Sequence, residues 1–363
     1  VSWTTTRRAV TGAGGFIGGR ACEYLSALGH DVRAVVHRFP SAARLSVWPM
    51  QVVSADIMDV DSLSQAFRGV DCVVHCAYGN TDDIALNERL TYEGALNVLH
   101  AASSSGVRRL VQMSTVSVYG GNLPASVSED TPYGEPGDWY GRAKQAAEKE
   151  VLAACSRGEI EAVCLQPAIV YGPWAGVWTI EPVQRLAAGD LYLYGDGAGV
   201  CNTLYIDNLQ QAIAEACTAE GVSGERFLLT DGTPSTWREF FGCYARMLGK
   251  ELPKASPEMV MQRESRKARL SPVINTVKAA GKAAGKALAA VGLQDMVLAG
   301  KRSFKDRTKW MLQTSPGMME FYMLPTVFDI SRARQKLGYS PSISLEQGMC
   351  STEEWLRFVR LIS

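Results

Sequence analysis

Short apolar segments alternate with amphipathic segments through the first half of the chain. The apolar segments read as strands and lie at residues 8–10, 31–36, 51–53, 71–77, 109–114 and 162–166. Helical periodicity occurs between them, at residues 19–25, 60–67, 86–104 and 140–154. Because strands that alternate with helices form βαβ units, the pattern predicts an α/β fold with a doubly wound parallel sheet.

The second half of the chain is less regular. Helices are expected at residues 178–188, 207–218, 237–248, 329–339 and 345–359, and strands at residues 191–194 and 226–230. A chain of 363 residues is longer than a comfortable single core, so we expect one large domain and one smaller domain.

A glycine-rich turn follows the first predicted strand. Gly12, Gly15 and Gly18 are spaced three apart, and the next helix follows at once. This spacing allows a tight turn, close approach of a pyrophosphate to the backbone, and close packing of the helix on the strand. The helix N-terminus, with Phe16 and Ile17, then presents free N–H groups to the phosphates. The turn predicts a dinucleotide-binding Rossmann sheet.

We therefore expect two regions. Residues 1–175 are predicted to form the dinucleotide-binding domain, with later segments around 200–235 returning to it. Residues 176–363 are predicted to form a smaller C-terminal substrate-binding region, which includes a basic helical insertion at about 255–322.

A tyrosine and a lysine share one face of a predicted helix downstream of this turn. Tyr140 and Lys144 are four residues apart. A tyrosine has a pKa of about 10 in a model peptide, and a neighbouring ammonium is expected to lower the pKa of Tyr140. Thr115 follows the fifth predicted strand, where its hydroxyl can hold a substrate oxygen against Tyr140. We predict that these three residues are catalytic.

The sequence resembles the extended short-chain dehydrogenases/reductases of the sugar-nucleotide epimerase/dehydratase type. The matching segments, in chain order, are the TGxxGxxG turn at 11–18, the pair Asp56 and Ile57 on the adenine side, the fourth-strand motif at 74–77, Thr115 with 118–120, and Tyr140 with Lys144. Weaker matches occur at 166–173, 204–208 and 337–341. The resemblance covers about 1–250 and 325–355, and leaves 253–325 unexplained.

The resemblance implies an NAD(P) cofactor and hydride exchange between the nicotinamide and a secondary alcohol carbon. Tyr140 would move the hydroxyl proton, Lys144 would hold the ribose and tune Tyr140, and Thr115 would orient the oxygen. The cofactor-binding residues that it implies are Gly12, Gly15, Phe16, Ile17, Gly18, His37, Arg38, Asp56, Ile57, Ala77, Lys144, Pro167 and Val170.

The chain departs from the family pattern at several positions. Thr91 stands where the family has an asparagine, and Gln166 where an arginine is common. Thr115 is followed by Val116 and Ser117 instead of the Asp-Glu pair of 4,6-dehydratases, which makes water elimination a weaker candidate.

The end of the second strand bears on the choice of cofactor. An acidic residue there would bind the ribose hydroxyls of NAD, but Val36 occupies the position and His37 and Arg38 follow. Arg38 is either a partner for a 2′-phosphate or a solvated loop charge. The first interpretation favours NADP over NAD.

The substrate is expected between the C-terminal edge of the sheet and segments from the second half. The predicted substrate residues are Tyr78, Thr115, Trp174, Trp178, Thr179 and Asn202. For Trp174 and Trp178, core packing is an equally good interpretation.

Three functions fit these residues. The first is a nucleotide-sugar epimerase or ketoreductase, and the sequence does not separate these two outcomes. The second is a hydroxysteroid-like or other lipid-alcohol dehydrogenase. The third is a non-catalytic dinucleotide sensor, which has no need of the Thr115, Tyr140 and Lys144 set.

Composition narrows the class of protein. The chain is 47% hydrophobic and 20% charged with a net charge of zero, which gives no general attraction to nucleic acid. Nine scattered cysteines without a Cys-x-x-Cys pair favour free thiols in a reducing cytoplasm, and four dispersed histidines predict no metal site. We also expect a homodimer.

One segment departs from this neutral balance. Residues 263–309 carry twelve Lys or Arg and three acidic residues. As a helix, residues 273–291 would place small apolar side chains on one face and lysines on the other. Such a helix either packs its alanine face on the core as a lid or makes a peripheral contact with an anionic membrane.

Overall fold

The computed structural model describes residues 6–255 and 316–363. The chain forms two compact units. The first unit comprises Val1–Ile180, Cys201–Ser235 and Thr326–Ser363, and the second comprises Glu181–Val200 and Thr236–Pro325. The C-terminal residues, which the sequence analysis grouped with the second region, thus belong to the first unit. Most of the basic insertion predicted at about 255–322, and all of 263–309, lies outside the described residues.

The strands and helices are numbered in chain order. Strands β1 to β15 are Arg7–Thr11, Asp31–Val36, Gln51–Ser54, Cys72–His75, Arg109–Met113, Ser126–Val127, Glu161–Pro167, Ile169–Tyr171, Leu193–Tyr194, Val200–Cys201, Thr203–Tyr205, Arg226–Leu229, Ser235–Thr236, Lys254–Ala255 and Val327–Phe328. Helices α1 to α9 are Phe16–Ala27, Val60–Phe67, Ile84–Ser104, Trp139–Ser156, Glu181–Ala187, Ile206–Thr218, Trp237–Met247, Pro316–Met323 and Leu345–Phe358. Short helical turns occupy Phe39–Leu45, Val116–Tyr119, Gly176–Ile180 and Ala333–Leu337.

The first unit is built on a seven-stranded parallel sheet in the order β12-β7-β5-β4-β1-β2-β3. The chain runs outward from β1 through β2 and β3, then crosses back to β4 on the other side. The strand order therefore reverses between β1 and β4, and their register pairs Thr11 with His75 at the carboxyl ends. In open α/β sheets, ligands bind in the crevice at this reversal.

Helices cover both faces of this sheet. On one face, α2, α3 and α4 enclose a cluster of buried apolar residues, whereas α1 and α6 contact the other face. The cluster includes Ala9, Val73, Leu110 and Ala162 of the strands and Leu63, Phe67, Val98, Ala102 and Val151 of the helices. The doubly wound parallel sheet predicted from the sequence is confirmed.

The local differences from the sequence pattern have local causes. The helix predicted at 329–339 is shorter and covers 331–337, because Asp329 caps its start by accepting from Ser331 N at 2.9 Å and Gly338 ends it with φ +73°. The helix predicted at 178–188 divides into the turn Gly176–Ile180 and α5. Strands of two or three residues, such as β6 and β15, are too short for a hydropathy pattern to reveal.

Within the second unit, β14 and α8 both contact β9. Lys254 pairs in register with Leu193, and the ring of Tyr322 stacks on Tyr194 with centroids 5.2 Å apart. Trp237 of α7 packs edge-on against Tyr322 at 4.5 Å. β14 and α8, which flank residues 256–315, therefore both contact β9. Residues 256–315 lie outside the described part of the chain.

Two kinds of feature are absent from 6–255 and 316–363. No helix in these ranges is long and apolar enough to cross a bilayer. No three His, Cys, Asp or Glu side chains there come together as ligands for a metal ion.

The contact at Gly18 gives a stability prediction. A Cβ at this position would lie 2.4 Å from Gly12 O, so Gly18→Ala requires α1 to move away from β1. We expect Gly18→Ala to lower the free energy of unfolding by about 1–3 kcal/mol in a denaturant titration. Gly121→Ala is the control, because a Cβ there meets no atom within 4 Å. Equal stability of the two variants would contradict the packing role.

Candidate active site

The glycine turn joins β1 to α1. Gly12 has φ +67°, and Gly15 N donates to Gly12 O at 2.9 Å to close the turn. A Cβ at Gly12 would lie 2.8 Å from Ala77 N, so the turn also packs against the chain that follows β4. In the described turn, no side chain caps the start of α1 and no acidic residue occupies its first turn. The first N–H groups of α1 therefore suit a phosphate.

Thr11 and His75 fix the carboxyl ends of β1 and β4. Thr11 Oγ1 lies 2.7 Å from His75 Nδ1 and accepts a hydrogen bond from Ala77 N at 3.4 Å. Burial, together with the nearby Lys144 charge, lowers the pKa of His75 to about 3. The imidazole is therefore neutral and holds the crevice in shape.

The residues expected beside the adenosine lie at the ends of β2 and β3. Val36 is buried, and the neighbouring His37 and Arg38 are exposed. His37 Nε2 lies 3.6 Å from Asp56 Oδ2. Ile57 packs towards Gly94, where an added Cβ would come within 2.8 Å of its Cδ1. Arg38 is exposed at this edge, and its contact with a 2′-phosphate stays a prediction.

Thr115, Tyr140 and Lys144 come together at the carboxyl end of β5. Lys144 Nζ donates to Met113 O at 2.7 Å and lies 5.9 Å from the centroid of the Tyr140 ring. The Thr115 hydroxyl opposes the rise in the pKa of Tyr140, and its Oγ1 accepts from Ser117 N at 3.2 Å and donates to Ser117 Oγ at 3.2 Å. The structure therefore brings the three predicted catalytic residues together at the end of β5.

Burial dominates the electrostatics of this constellation. It raises the pKa of Tyr140 above its ordinary value, with Tyr78 and Asp138 adding to the effect and the Thr115 hydrogen bond opposing it. Burial also lowers the pKa of Lys144 to about 8, against the opposing effects of Cys76 and Glu148. The expectation that Lys144 lowers the pKa of Tyr140 is wrong for the protein by itself, because desolvation of the phenol is the larger effect.

Aromatic rings flank Tyr140. Tyr78, which is 46% exposed, meets it edge-on with centroids 5.8 Å apart, and Trp139 does so from the other side at 5.8 Å. Lys144 Nζ lies 5.9 Å from the centroid of the Tyr78 ring. Of the predicted substrate residues, Tyr78 and Thr115 thus lie beside Tyr140.

The other predicted substrate residues have different surroundings. The Trp174 ring packs 5.5 Å from Trp355 and 5.0 Å from the Arg44 guanidinium carbon. Thr179 is fully buried, and its hydroxyl accepts from Gly172 N at 3.1 Å. The Thr179 hydroxyl is thus committed to the backbone, whereas the Trp174 ring stays 49% exposed. Trp178 lies half-buried in the turn Gly176–Ile180.

The Asn202 amide joins β15 to the rest of the first unit. Its Nδ2 donates to Thr326 O at 2.9 Å and its Oδ1 accepts from Phe328 N at 3.2 Å. Asn202 also lines an open pocket of about 230 Å³ with residues 230, 232–234, 327–330 and 334. Pro167 and Val170, expected at the cofactor, are buried at the end of β7 and in β8.

Two departures from the family pattern now have structural explanations. Thr91 Oγ1 accepts from Gly79 N at 3.0 Å and donates to Asn87 O at 2.8 Å, so it fixes the loop after β4. Gln166 is fully buried and bonds to Tyr119 and Glu148. Both hydrogen-bonding ends of the Gln166 amide are thus engaged by protein groups.

The sequence pattern did not lead us to predict Tyr119 and Glu148 as buried partners of Gln166. Glu148 follows Lys144 by one helical turn, and that spacing is the signal that was available.

Residues 9–229 match the NAD dependent epimerase/dehydratase family. The chain belongs to this family, and the resemblance to extended short-chain dehydrogenases/reductases is confirmed. It is therefore an NAD(P)-dependent oxidoreductase by class. The cradle of Gly12 and Gly18, which any side chain would fill, fits such a dinucleotide.

Particular relatives differ in what they act on. The chain is 32% identical over 63% of its length to 72% of the 2-alkyl-3-oxoalkanoate reductase of Stenotrophomonas maltophilia. It is 26% identical over 84% of its length to 66% of the 3beta-hydroxysteroid-dehydrogenase/decarboxylase isoform 1 of Arabidopsis thaliana. The dTDP-glucose 4,6-dehydratase DesIV of Streptomyces venezuelae, solved with NAD and TYD bound, shares the fold with a TM-score of 0.71, 22% identity and 98% coverage of both chains.

The exposed Arg38 gives a prediction on the cofactor. If its guanidinium binds a 2′-phosphate, Arg38→Ala should weaken NADP binding about tenfold or more and leave NAD binding almost unchanged. Titration of both cofactors by calorimetry measures this difference, with Arg68→Ala as a second exposed arginine for comparison. Equal losses for the two cofactors, or none, would remove Arg38 from cofactor selection.

Proposed function

We propose that this enzyme reduces a ketone, or oxidises the corresponding secondary alcohol, on a largely apolar substrate such as a steroid-like or other lipid molecule. The observation that carries this proposal is the aromatic environment of the reacting hydroxyl, with Tyr78 and Trp139 on either side of Tyr140. Both rings offer apolar surface to a hydrocarbon skeleton.

The charge of the predicted substrate residues supports the same substrate class. A nucleotide sugar carries a diphosphate, which proteins bind with arginine, lysine or a helix N-terminus. None of the six predicted substrate residues is cationic. Arg44, beside Trp174, is already paired with Glu23 at 2.7 Å. The printed names of the two relatives above, an alkanoate reductase and a hydroxysteroid dehydrogenase, are in line with an apolar substrate.

The proton chemistry follows from the state of Tyr140. Because its pKa is raised, the phenol is protonated at neutral pH and is poised to donate to a carbonyl oxygen held by Thr115. Lys144, with a pKa of about 8, is mostly a cation at pH 7 and stabilises the phenolate that remains. When bound, the nicotinamide supplies the hydride to the carbonyl carbon. A protonated Tyr140 is the form that ketone reduction needs, and alcohol oxidation would return the proton to the same oxygen.

A panel of substrates tests the proposal. Steroid ketones, 2-alkyl-3-oxo acids, long-chain ketones, UDP-glucose and dTDP-glucose should be offered with NADPH or NADH, following nicotinamide absorbance and, for the sugars, product chromatography. We expect turnover of the apolar ketones. Turnover or epimerisation of the nucleotide sugars alone would favour the sugar-nucleotide function instead, and cofactor binding without any turnover would favour a sensor. Assembly as a homodimer, residence in the cytoplasm and peripheral contact with a membrane stay predictions.

Tyr140→Phe tests the role of the phenol. The variant keeps the ring and its aromatic contacts but loses the proton, so turnover should fall about 10²–10⁴-fold. Cofactor affinity should change little, because the turn at 12–18 is untouched. Tyr24→Phe, on α1, is the matched control and should keep normal turnover. A Tyr140→Phe enzyme with the wild-type kcat would exclude Tyr140 as the acid.

A further inference from the structure

A buried hydrogen-bond network lies behind the catalytic face of α4. Glu148 is fully buried one helical turn after Lys144. Its Oε1 accepts from Tyr133 OH at 2.6 Å and from Gln166 Nε2 at 2.7 Å. Gln166 Oε1 accepts in turn from Tyr119 OH at 2.9 Å. Both donors to Glu148 are neutral groups that suit a carboxylate acceptor.

The network connects the elements that carry the predicted catalytic residues. Tyr119 lies in the helical turn that begins directly after Thr115, and Gln166 lies in β7, which pairs with β5. The neighbouring Gln145 of α4 also donates to Val118 O at 2.7 Å and to Gly134 O at 2.9 Å. Consequently, the placement of α4 relative to Thr115 depends on Glu148 and its partners.

Glu148 also differs in charge from the other groups around Lys144. From β4 and the chain after it, burial lowers the pKa of His75 to about 3 and raises the pKa of Cys76 to about 12, so both are neutral at pH 7. The Tyr78 and Tyr140 rings add two protonated phenols. Among these described groups, Glu148 is the carboxyl group. Burial raises its pKa, whereas hydrogen bonds from Ser114, Tyr133 and Gln166 and the charge of Arg226 oppose that rise and favour the carboxylate.

On the Glu148 side, the nearest cation belongs to β12. The Arg226 guanidinium carbon lies 4.8 Å from the centroid of the Tyr133 ring, whose hydroxyl donates to Glu148, and the Arg226 charge opposes the rise in the pKa of Glu148. Glu148 thus accepts hydrogen bonds from the neutral side chains of Tyr133 and Gln166. It lies one helical turn after the Lys144 ammonium.

We propose that Glu148 is a positioning residue, which fixes α4 against Thr115 through Tyr133 and Gln166 and keeps the Lys144 ammonium charged. This inference rests on the proposed function, since its effect on turnover presumes that Tyr140 and Lys144 act as stated. A packing role alone would slow the enzyme equally at every pH. Loss of the carboxylate charge should instead make Lys144 lose its proton at a lower pH.

The test compares Glu148→Gln with Glu150→Gln, which removes a charge from the exposed side of the same helix. Protein labelled with [ε-¹³C]lysine reports the titration of Lys144, assigned by its loss in Lys144→Arg. Wild type should titrate near its pKa of about 8. We expect the Glu148→Gln midpoint about one pH unit lower, and the Glu150→Gln midpoint unchanged. The basic limb of the pH–rate profile should move by the same amount.

A double variant tests whether a carboxylate at the neighbouring position restores the Lys144 titration. Adding Gln166→Glu to Glu148→Gln returns a carboxylate to the same hydrogen-bonded pair from the β7 side. We expect the Lys144 titration to move back towards the wild-type midpoint. Thermal melting of each variant checks that the fold is retained.

The outcomes separate this inference from the proposed function. A Lys144 midpoint that is equal in wild type and Glu148→Gln overturns the charge role. A pH–rate profile that only falls in height, with no shift of its limb, reduces Glu148 to packing and also overturns the proposal. If no substrate is turned over, the lysine titration still decides the question, because it needs neither substrate nor activity.

Discussion

The site depends on how a buried ammonium is accommodated. Lys144 is only 3% exposed, and removing a charged group from water costs several kcal/mol unless the protein supplies partners. Its Nζ meets Met113 O at 2.7 Å, at the carboxyl end of β5. This contact joins α4 to the end of the strand. It also brings Tyr140, one turn earlier on the helix, to Thr115, two residues beyond Met113.

Burial makes the contact between Lys144 and Met113 necessary. The same burial also shifts the pKa values of Lys144 and Tyr140. A low-dielectric environment disfavours charged forms, so it raises the pKa of a phenol and lowers the pKa of an ammonium. Tyr140 and Lys144 shift in these opposite directions for one reason. The result at neutral pH is a protonated phenol beside a lysine that is still mostly charged. In the proposed reaction, the raised pKa keeps the proton on the phenol until a substrate oxygen accepts it, and the neighbouring ammonium offsets the charge of the phenolate that is left.

The parts of the site that were predictable are those defined by local chemistry. The turn at Gly12, Gly15 and Gly18 depends on a positive φ at Gly12 and on the close approach of Gly18 to Gly12 O, and these local requirements are visible in the glycine spacing. Tyr140 and Lys144 share a face because of helical periodicity. Their assembly with Thr115 followed from the rule that parallel strands present their carboxyl ends at one edge.

What could not be predicted depends on distant partners. The Asn202 amide bonds to a carbonyl 124 residues later, and no local pattern distinguishes it from a substrate-binding amide. Thr179 accepts from the backbone of Gly172, which commits its hydroxyl to the turn. The raised pKa of Tyr140 could not be predicted because it depends on how deeply the side chain is buried. That depth depends on how Tyr78 and Trp139 pack around it.

The second unit has a packed cluster of its own. β14 pairs with β9, and Tyr322 of α8 stacks on Tyr194 of β9. Around that strand, Trp237, Phe240 and Phe241 of α7 form an aromatic cluster with Tyr322. Thr115, Tyr140 and Lys144, by contrast, all belong to the first unit. Among the described residues, their geometry is determined by β4, β5, β7 and α4, because these elements carry the three side chains and the groups that they contact.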